Sequence, residues 1–166
     1  MPPSCRDIID TSYALSRAKP SQSEKDIMRD EEINQQHILL FDGICNLCNG
    51  SVQFILKHEK APVLRFASIQ SAIGKKLLTW CGLPQDFSDA VIYIENGHIR
   101  LGSTAALKIG QRLKFPWSLI SSAGLLVPKT IRDWVYSQIG THRYQWFGKR
   151  DVCMVPTKEL KKRFYD

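Results

Sequence analysis

The chain has 166 residues, 43% of them hydrophobic and 23% charged, which suits one domain that buries its own core without disulfide staples. No apolar run reaches the roughly 18 residues of a membrane span, and the N-terminus lacks the apolar stretch of a secretory signal. Membrane-spanning and secreted classes are therefore set aside, and the cytoplasm is the expected location.

The net charge of +7 is unevenly spread. Residues 1–36 hold five Lys/Arg and seven Asp/Glu, without apolar periodicity, and read as a disordered extension. Organelle targeting by this segment is the lesser option, because transit peptides are poor in acids. Residues 37–166 hold 18 Lys/Arg and nine Asp/Glu and form the expected folded domain. A basic surface favours acidic partners. No aromatic–basic interleaving marks a nucleic-acid face, so nucleic acid is not an expected partner.

The first apolar run, His37 to Phe41, predicts a short buried strand, broken by Asp42-Gly43. From Asn46 to about Lys60 the spacing of Leu47, Val52, Phe54, Ile55 and Leu56 predicts a helix with cations near its negative end. Val63 to Ala67 predicts a second strand, and Ser71 to Trp80 a short helix stopped by Gly82 and Pro84. Ala90–Ile94 and His98–Leu101 flank Asn96-Gly97, the preferred pair for a tight hairpin. A helix from Thr104 to about Leu113 follows, with Ser103 as the expected N-cap.

Trp117 to Val127 is apolar but too short to cross a membrane, and predicts a buried or partly buried helix. Lys129 to Ile139 carries helical spacing at Ile131, Trp134, Val135 and Ile139. Gly148 to Asp166 is basic and is expected to pack loosely. The order is βαβ, then ββα, then extra helices: an α/β class with the thioredoxin arrangement.

The cysteines are Cys5, Cys45, Cys48, Cys81 and Cys153. An odd, scattered set does not make a disulfide framework, and Cys45-Asn46-Leu47-Cys48 is the one close pair. It sits where a strand turns into a helix, so Cys45 meets unpaired amide N–H groups and the positive end of the helix dipole, which favour the thiolate. The thiolate is the attacking species in disulfide exchange. Cys48, three residues on, shares a helix face with Cys45. The reading is Cys45 as nucleophile and Cys48 as resolving thiol, with access expected at Cys45 and Cys48 shielded one turn deeper. Asp42 has two readings: a proton acceptor in the resolving step, or a turn residue of Asp-Gly. Cys81 reads as a core thiol.

The run Phe41-Asp42-Gly43-Ile44-Cys45-Asn46-Leu47-Cys48 resembles the signature of the DCC family of predicted thiol–disulfide oxidoreductases. The resemblance continues through Arg65–Ser71, Gly102-Ser103, His142–Arg150 and Cys153–Pro156. It implies a thioredoxin-like fold and a redox activity, with no bound cofactor. The partners it implies are a disulfide-containing or dithiol protein and a separate electron donor. Thioredoxins carry a cis-proline just before the hairpin; here that slot falls near Asp89 and holds no proline. Two rivals stay open: a thioredoxin-like partner-binding module with little general activity, and a metal-binding protein. The second would need scattered residues to converge, since a structural zinc site takes four ligands and only one close pair is present.

Overall fold

The computed structural model describes Ile33, residues 35–149 and residues 160–165. Cys5, Cys153 and most of the expected N-terminal extension lie outside the described residues.

In chain order the elements are β1 (His37–Phe41), α1 (Asn46–His58), β2 (Leu64–Ser68), α2 (Ala72–Trp80), β3 (Ile92–Glu95), β4 (His98–Leu101), α3 (Gly102–Gly110), α4 (Trp117–Leu126), α5 (Lys129–Phe147), a 3₁₀ turn (Leu160–Arg163) and β5 (Phe164–Tyr165). The sheet order is β4-β3-β1-β2-β5. β1 pairs with β2 in parallel through the α1 crossover and with β3 antiparallel, and β3 closes the hairpin onto β4. This is the thioredoxin-like arrangement with added C-terminal helices.

β1 reads as an unbroken apolar run because it is central and covered on both faces. Successive side chains point to opposite sides. Ile38 and Leu40 join Ala67, Leu77, Leu78 and Ile92 in one core cluster, beneath α2. Leu39 and Phe41 join Val52, Phe66, Tyr93 and Ile109 in the other, beneath α1 and α3. Gly74 lets α2 sit directly on the end of β2: a Cβ there would stand 1.8 Å from the Ser68 carbonyl oxygen. Asn96, at φ 49°, and Gly97, at φ 77°, make the tight hairpin turn.

Several expectations need correction. The stretch from Trp117 is helical, but α4 contains no buried residue; its apolar side chains Leu119, Ile120 and Leu126 stand exposed. α5 runs on to Phe147, and the helically spaced Ile131, Trp134, Val135 and Ile139 are all exposed rather than part of the core. Ser103 is not an N-cap: α3 begins at Gly102, and the Ser103 hydroxyl donates to the Asp133 carboxylate on α5.

The C-terminal end of the chain is not loose at residues 160–165. β5 pairs in parallel with β2, and Arg163 pairs with the buried Glu59, its Nη2 standing 2.8 Å from Glu59 Oε2 and 2.8 Å from the Leu64 carbonyl oxygen. At the other end Ile33, placed by sequence in the extension, is 3% exposed and packs in the α2-side cluster. The Gln36 carbonyl accepts from the Asn96 N–H at 3.3 Å.

Candidate functional site

The site forms where β1 ends and α1 begins. Asp42 leaves the strand and its Oδ1 accepts the Ile44 N–H at 3.1 Å, an Asx-type turn that aims the chain into the helix. Cys45 is the N-cap of α1. Its Sγ accepts the Cys48 N–H at 3.5 Å, the place where the unpaired amides and dipole of a helix favour negative charge. Cys45 and Cys48 approach to 3.3 Å, and both are free thiols.

Two amide side chains fix this loop. Asn49, 1% exposed, donates from Nδ2 to the Gly43 and Cys45 carbonyls at 2.7 and 2.9 Å. Gln70, from the turn after β2, donates from Nε2 to Asp42 Oδ1 at 2.8 Å and accepts the Gly43 N–H at 2.9 Å. Buried N–H groups cost free energy unless they are bonded, and these bonds hold the loop, although the Asn49 Oδ1 is buried without a partner.

α5 supplies the rest. Arg143 Nη2 lies 3.2 Å from Asp42 Oδ2 and also donates to the Ser88 carbonyl, while the Tyr144 hydroxyl donates to the same carboxylate oxygen. Asp42 and Arg143 are 4% and 6% exposed. A buried carboxylate is tolerable only with such a cation and donors around it. Arg143 Nε is buried with no partner. Tyr136 OH accepts the Val91 N–H at 2.9 Å, tying α5 to the start of the hairpin. The Asn46 N–H and Nδ2 donate to the Gly148 and Phe147 carbonyls at 3.4 and 2.8 Å, and Lys149 forms an antiparallel bridge to Cys45.

The exposure expected of the pair is reversed. Cys45 is 0% exposed, and Cys48 is the half-buried one. Burial, then the hydrogen bond with Cys45, then the charge of Cys45 push the Cys48 thiol up to about 12, against an opposing pull from Arg143. Cys48 also lines a cavity of about 590 Å³ walled by α1, α3 and α5, with Asn46, Phe54, Ile109, Tyr136, Arg143 and Phe147 among its residues. Cys45 does not reach it. Cys81 lies in the other core cluster, where burial pushes its thiol up to about 12. Among the described residues no group of three or more His, Cys, Asp or Glu could hold a metal ion, and no helix is long and apolar enough to cross a membrane.

The structure thus brings Asp42, Cys45 and Cys48 together and adds Asn49, Gln70, Arg143 and Tyr144, which residue-by-residue reading left out. Gln70, Arg143 and Tyr144 were signalled only by the motif-like segments Arg65–Ser71 and His142–Arg150, and Asn49, directly after Cys48, had no signal of its own. The first segment, and the second as far as Lys149, fall within the stretch that a family model recognises: residues 39–149 match DCC1-like thiol-disulfide oxidoreductase. The chain belongs to the DCC1-like family. The DCC1-like match takes in the whole cysteine loop and the Arg143–Tyr144 segment that clamps it.

Two relatives agree. The uncharacterized protein YuxK of Bacillus subtilis (strain 168) is 47% identical over 137 residues, 82% of this chain and 98% of that protein. A chloroplastic DCC family protein of Arabidopsis thaliana is 35% identical over 156 residues, 86% of this chain and 91% of that protein. No solved structure matches the chain.

Proposed function

We propose that this DCC1-like protein exchanges disulfides through Cys45 and Cys48. The observation that carries the reading is the Cys45 sulfur as helix N-cap, accepting the Cys48 N–H, with the second thiol 3.3 Å away.

In the reducing direction the Cys45 thiolate attacks a substrate disulfide. A Cys45–substrate bond forms and the first substrate sulfur leaves as a thiolate. Cys48 then gives up its proton to Asp42, the one carboxylate in the cavity wall among the described residues, and attacks the Cys45 sulfur. The Cys45–Cys48 disulfide forms and the second substrate sulfur leaves. Two electrons have passed from the pair to the substrate, and an external dithiol donor restores the pair. The high pKa of Cys48, about 12, keeps it protonated until that step, so the two thiols do not compete for substrate. The substrate in this reading is a disulfide-bearing or dithiol protein. The cytoplasm is the proposed location, and the chloroplastic relative makes a plastid the second place to look with a fluorescent fusion.

The test is oxidation of the reduced protein by hydroxyethyl disulfide, followed by loss of free thiol. Wild type loses two thiols of the pair as one intramolecular disulfide; Cys45→Ser loses reactivity at least about a hundredfold. Unchanged reactivity in Cys45→Ser removes the basis of the reading.

One observation favours the binding-module alternative. α4 and α5 expose Leu119, Ile120, Trp134 and Trp146, and large apolar side chains gathered at a surface mark interaction sites. Partner capture that survives loss of both cysteines would support that alternative.

A further inference from the structure

The cavity beside Cys48 and Asp42 has no occupant assigned to it by the exchange scheme above. Its volume, about 590 Å³, is that of a binding site rather than a packing defect. Following α1 from Asn46 to Ile55, it runs for about 13 Å at the helical rise per residue. Its wall is mainly apolar, with Cys48 the one sulfur in it among the described residues. Ile139 and Phe147 in that wall are 40% and 47% exposed, so the cavity opens to the surface along α5.

The second observation lies at Cys45. The backbone there already pairs with the residues that follow α5: Lys149 makes an isolated antiparallel bridge to Cys45, and the carbonyl of Gly148, at φ 77°, accepts the Asn46 N–H. Cys45 is fully buried with that segment in place. A substrate disulfide must reach the Cys45 sulfur to be attacked, and an extended polypeptide can displace Gly148–Lys149 and offer its own backbone carbonyl to the Asn46 N–H. Side chains of such a strand next to its cysteine would then face the cavity mouth.

We propose that the cavity selects the substrate: it takes a large apolar side chain adjacent to the reacting cysteine of an extended polypeptide, whose backbone occupies the place of Gly148–Lys149 beside Cys45. The proposal rests on the exchange reading above and names its substrate class. Bonds and electrons balance as in that scheme. The Cys45 thiolate takes one half of the peptide disulfide, Cys48 displaces it, and both peptide halves leave as thiolates while the pair becomes a disulfide.

The test uses the reduced full-length protein and symmetrical disulfide dimers of short peptides. One peptide places Leu and Phe beside its cysteine, a second places Ser and Gln there, and a small dialkyl disulfide and hydroxyethyl disulfide complete the set. The readout is the single-turnover rate of thiol release. The apolar-flanked peptide is expected to react at least about tenfold faster than the polar-flanked one, the discrimination a hydrophobic pocket can give. Ala106→Trp, at an exposed cavity-lining position, is expected to bring that ratio to about one. Ile139→Ser, at the rim, serves if the first variant folds poorly. Equal rates for the two peptides overturn the proposal and leave the exchange reading standing. A preference for the dialkyl disulfide over both peptides overturns it in favour of a small-molecule site. No oxidation by any disulfide overturns the exchange reading itself.

Discussion

Arg143 Nη2 stands 3.2 Å from Asp42 Oδ2, and this pair joins the far half of α5 to the residue that ends β1. Neither charge has water to fall back on, so removing one strands the other. Arg143→Met is expected to cost about 3 kcal/mol or more, a fall of roughly 6 °C or more in thermal midpoint for a domain this size. Adding Asp42→Asn should recover part of the loss, because the stranded carboxylate is then gone. Paired denaturation curves read both effects; additive losses in the double variant would show that the two charges do not depend on each other.

Gly74 should tolerate no side chain. Alanine is favoured over glycine inside a helix by about 1 kcal/mol, but its Cβ at position 74 would meet the Ser68 carbonyl oxygen at 1.8 Å. Backbone cannot yield as a flexible side chain does, and α2 must move off the sheet. Gly74→Ala is expected to destabilise by about 1–3 kcal/mol, measured as the urea midpoint. A gain in stability would mean that the α2–β2 approach is looser than described.

The reduced protein should lose stability in alkali. Cys48 and Cys81 are both pushed up to about 12 from 9.0, mainly by burial. Below about pH 9 both states hold these protons and the two thiols add no slope. Between about 9 and 12 the unfolded chain releases them while the folded chain keeps them, so stability falls as pH rises. Thermal midpoints of the reduced protein from pH 7 to 11 should show this fall, and Cys81→Ala should make it shallower. An identical fall in Cys81→Ala would place the alkaline transition on other groups.

Ile33 lies ahead of the first strand yet is almost wholly buried against the α2-side core. Ile33→Ala is expected to cost about 2–4 kcal/mol, seen as a lowered urea midpoint with unchanged slope. A change within about 0.5 kcal/mol would mean that the folded unit starts later.

Much of the fold could be read from the chain because its local signals agree with its tertiary needs. β1 is apolar throughout since it is buried on both faces, and Asn96-Gly97 supplies the positive φ values that its turn demands. The helix failures have one cause: apolar spacing shows that a helix has an apolar stripe, not what covers it. Ile131, Trp134 and Val135 have the spacing of a core face and point outward. β5 is two residues long and depends on Arg163 binding Glu59, 104 residues away, which no local pattern can announce. At the site, Cys45, Cys48 and Asp42 were legible from a single run of eight residues. Arg143 and Tyr144 were not, because about a hundred residues separate them from the carboxylate they hold.

The most direct test of the central claim is a mixed-disulfide trap mapped by mass spectrometry. Reduced Cys48→Ser is mixed with a peptide disulfide, quenched with acid and digested. The account predicts the peptide joined to Cys45 in near-stoichiometric amount, with no adduct at Cys81, and no stable adduct in wild type, where Cys48 displaces the peptide. An adduct carried on Cys48 in Cys45→Ser at the same rate, or none on Cys45 in Cys48→Ser, would contradict it.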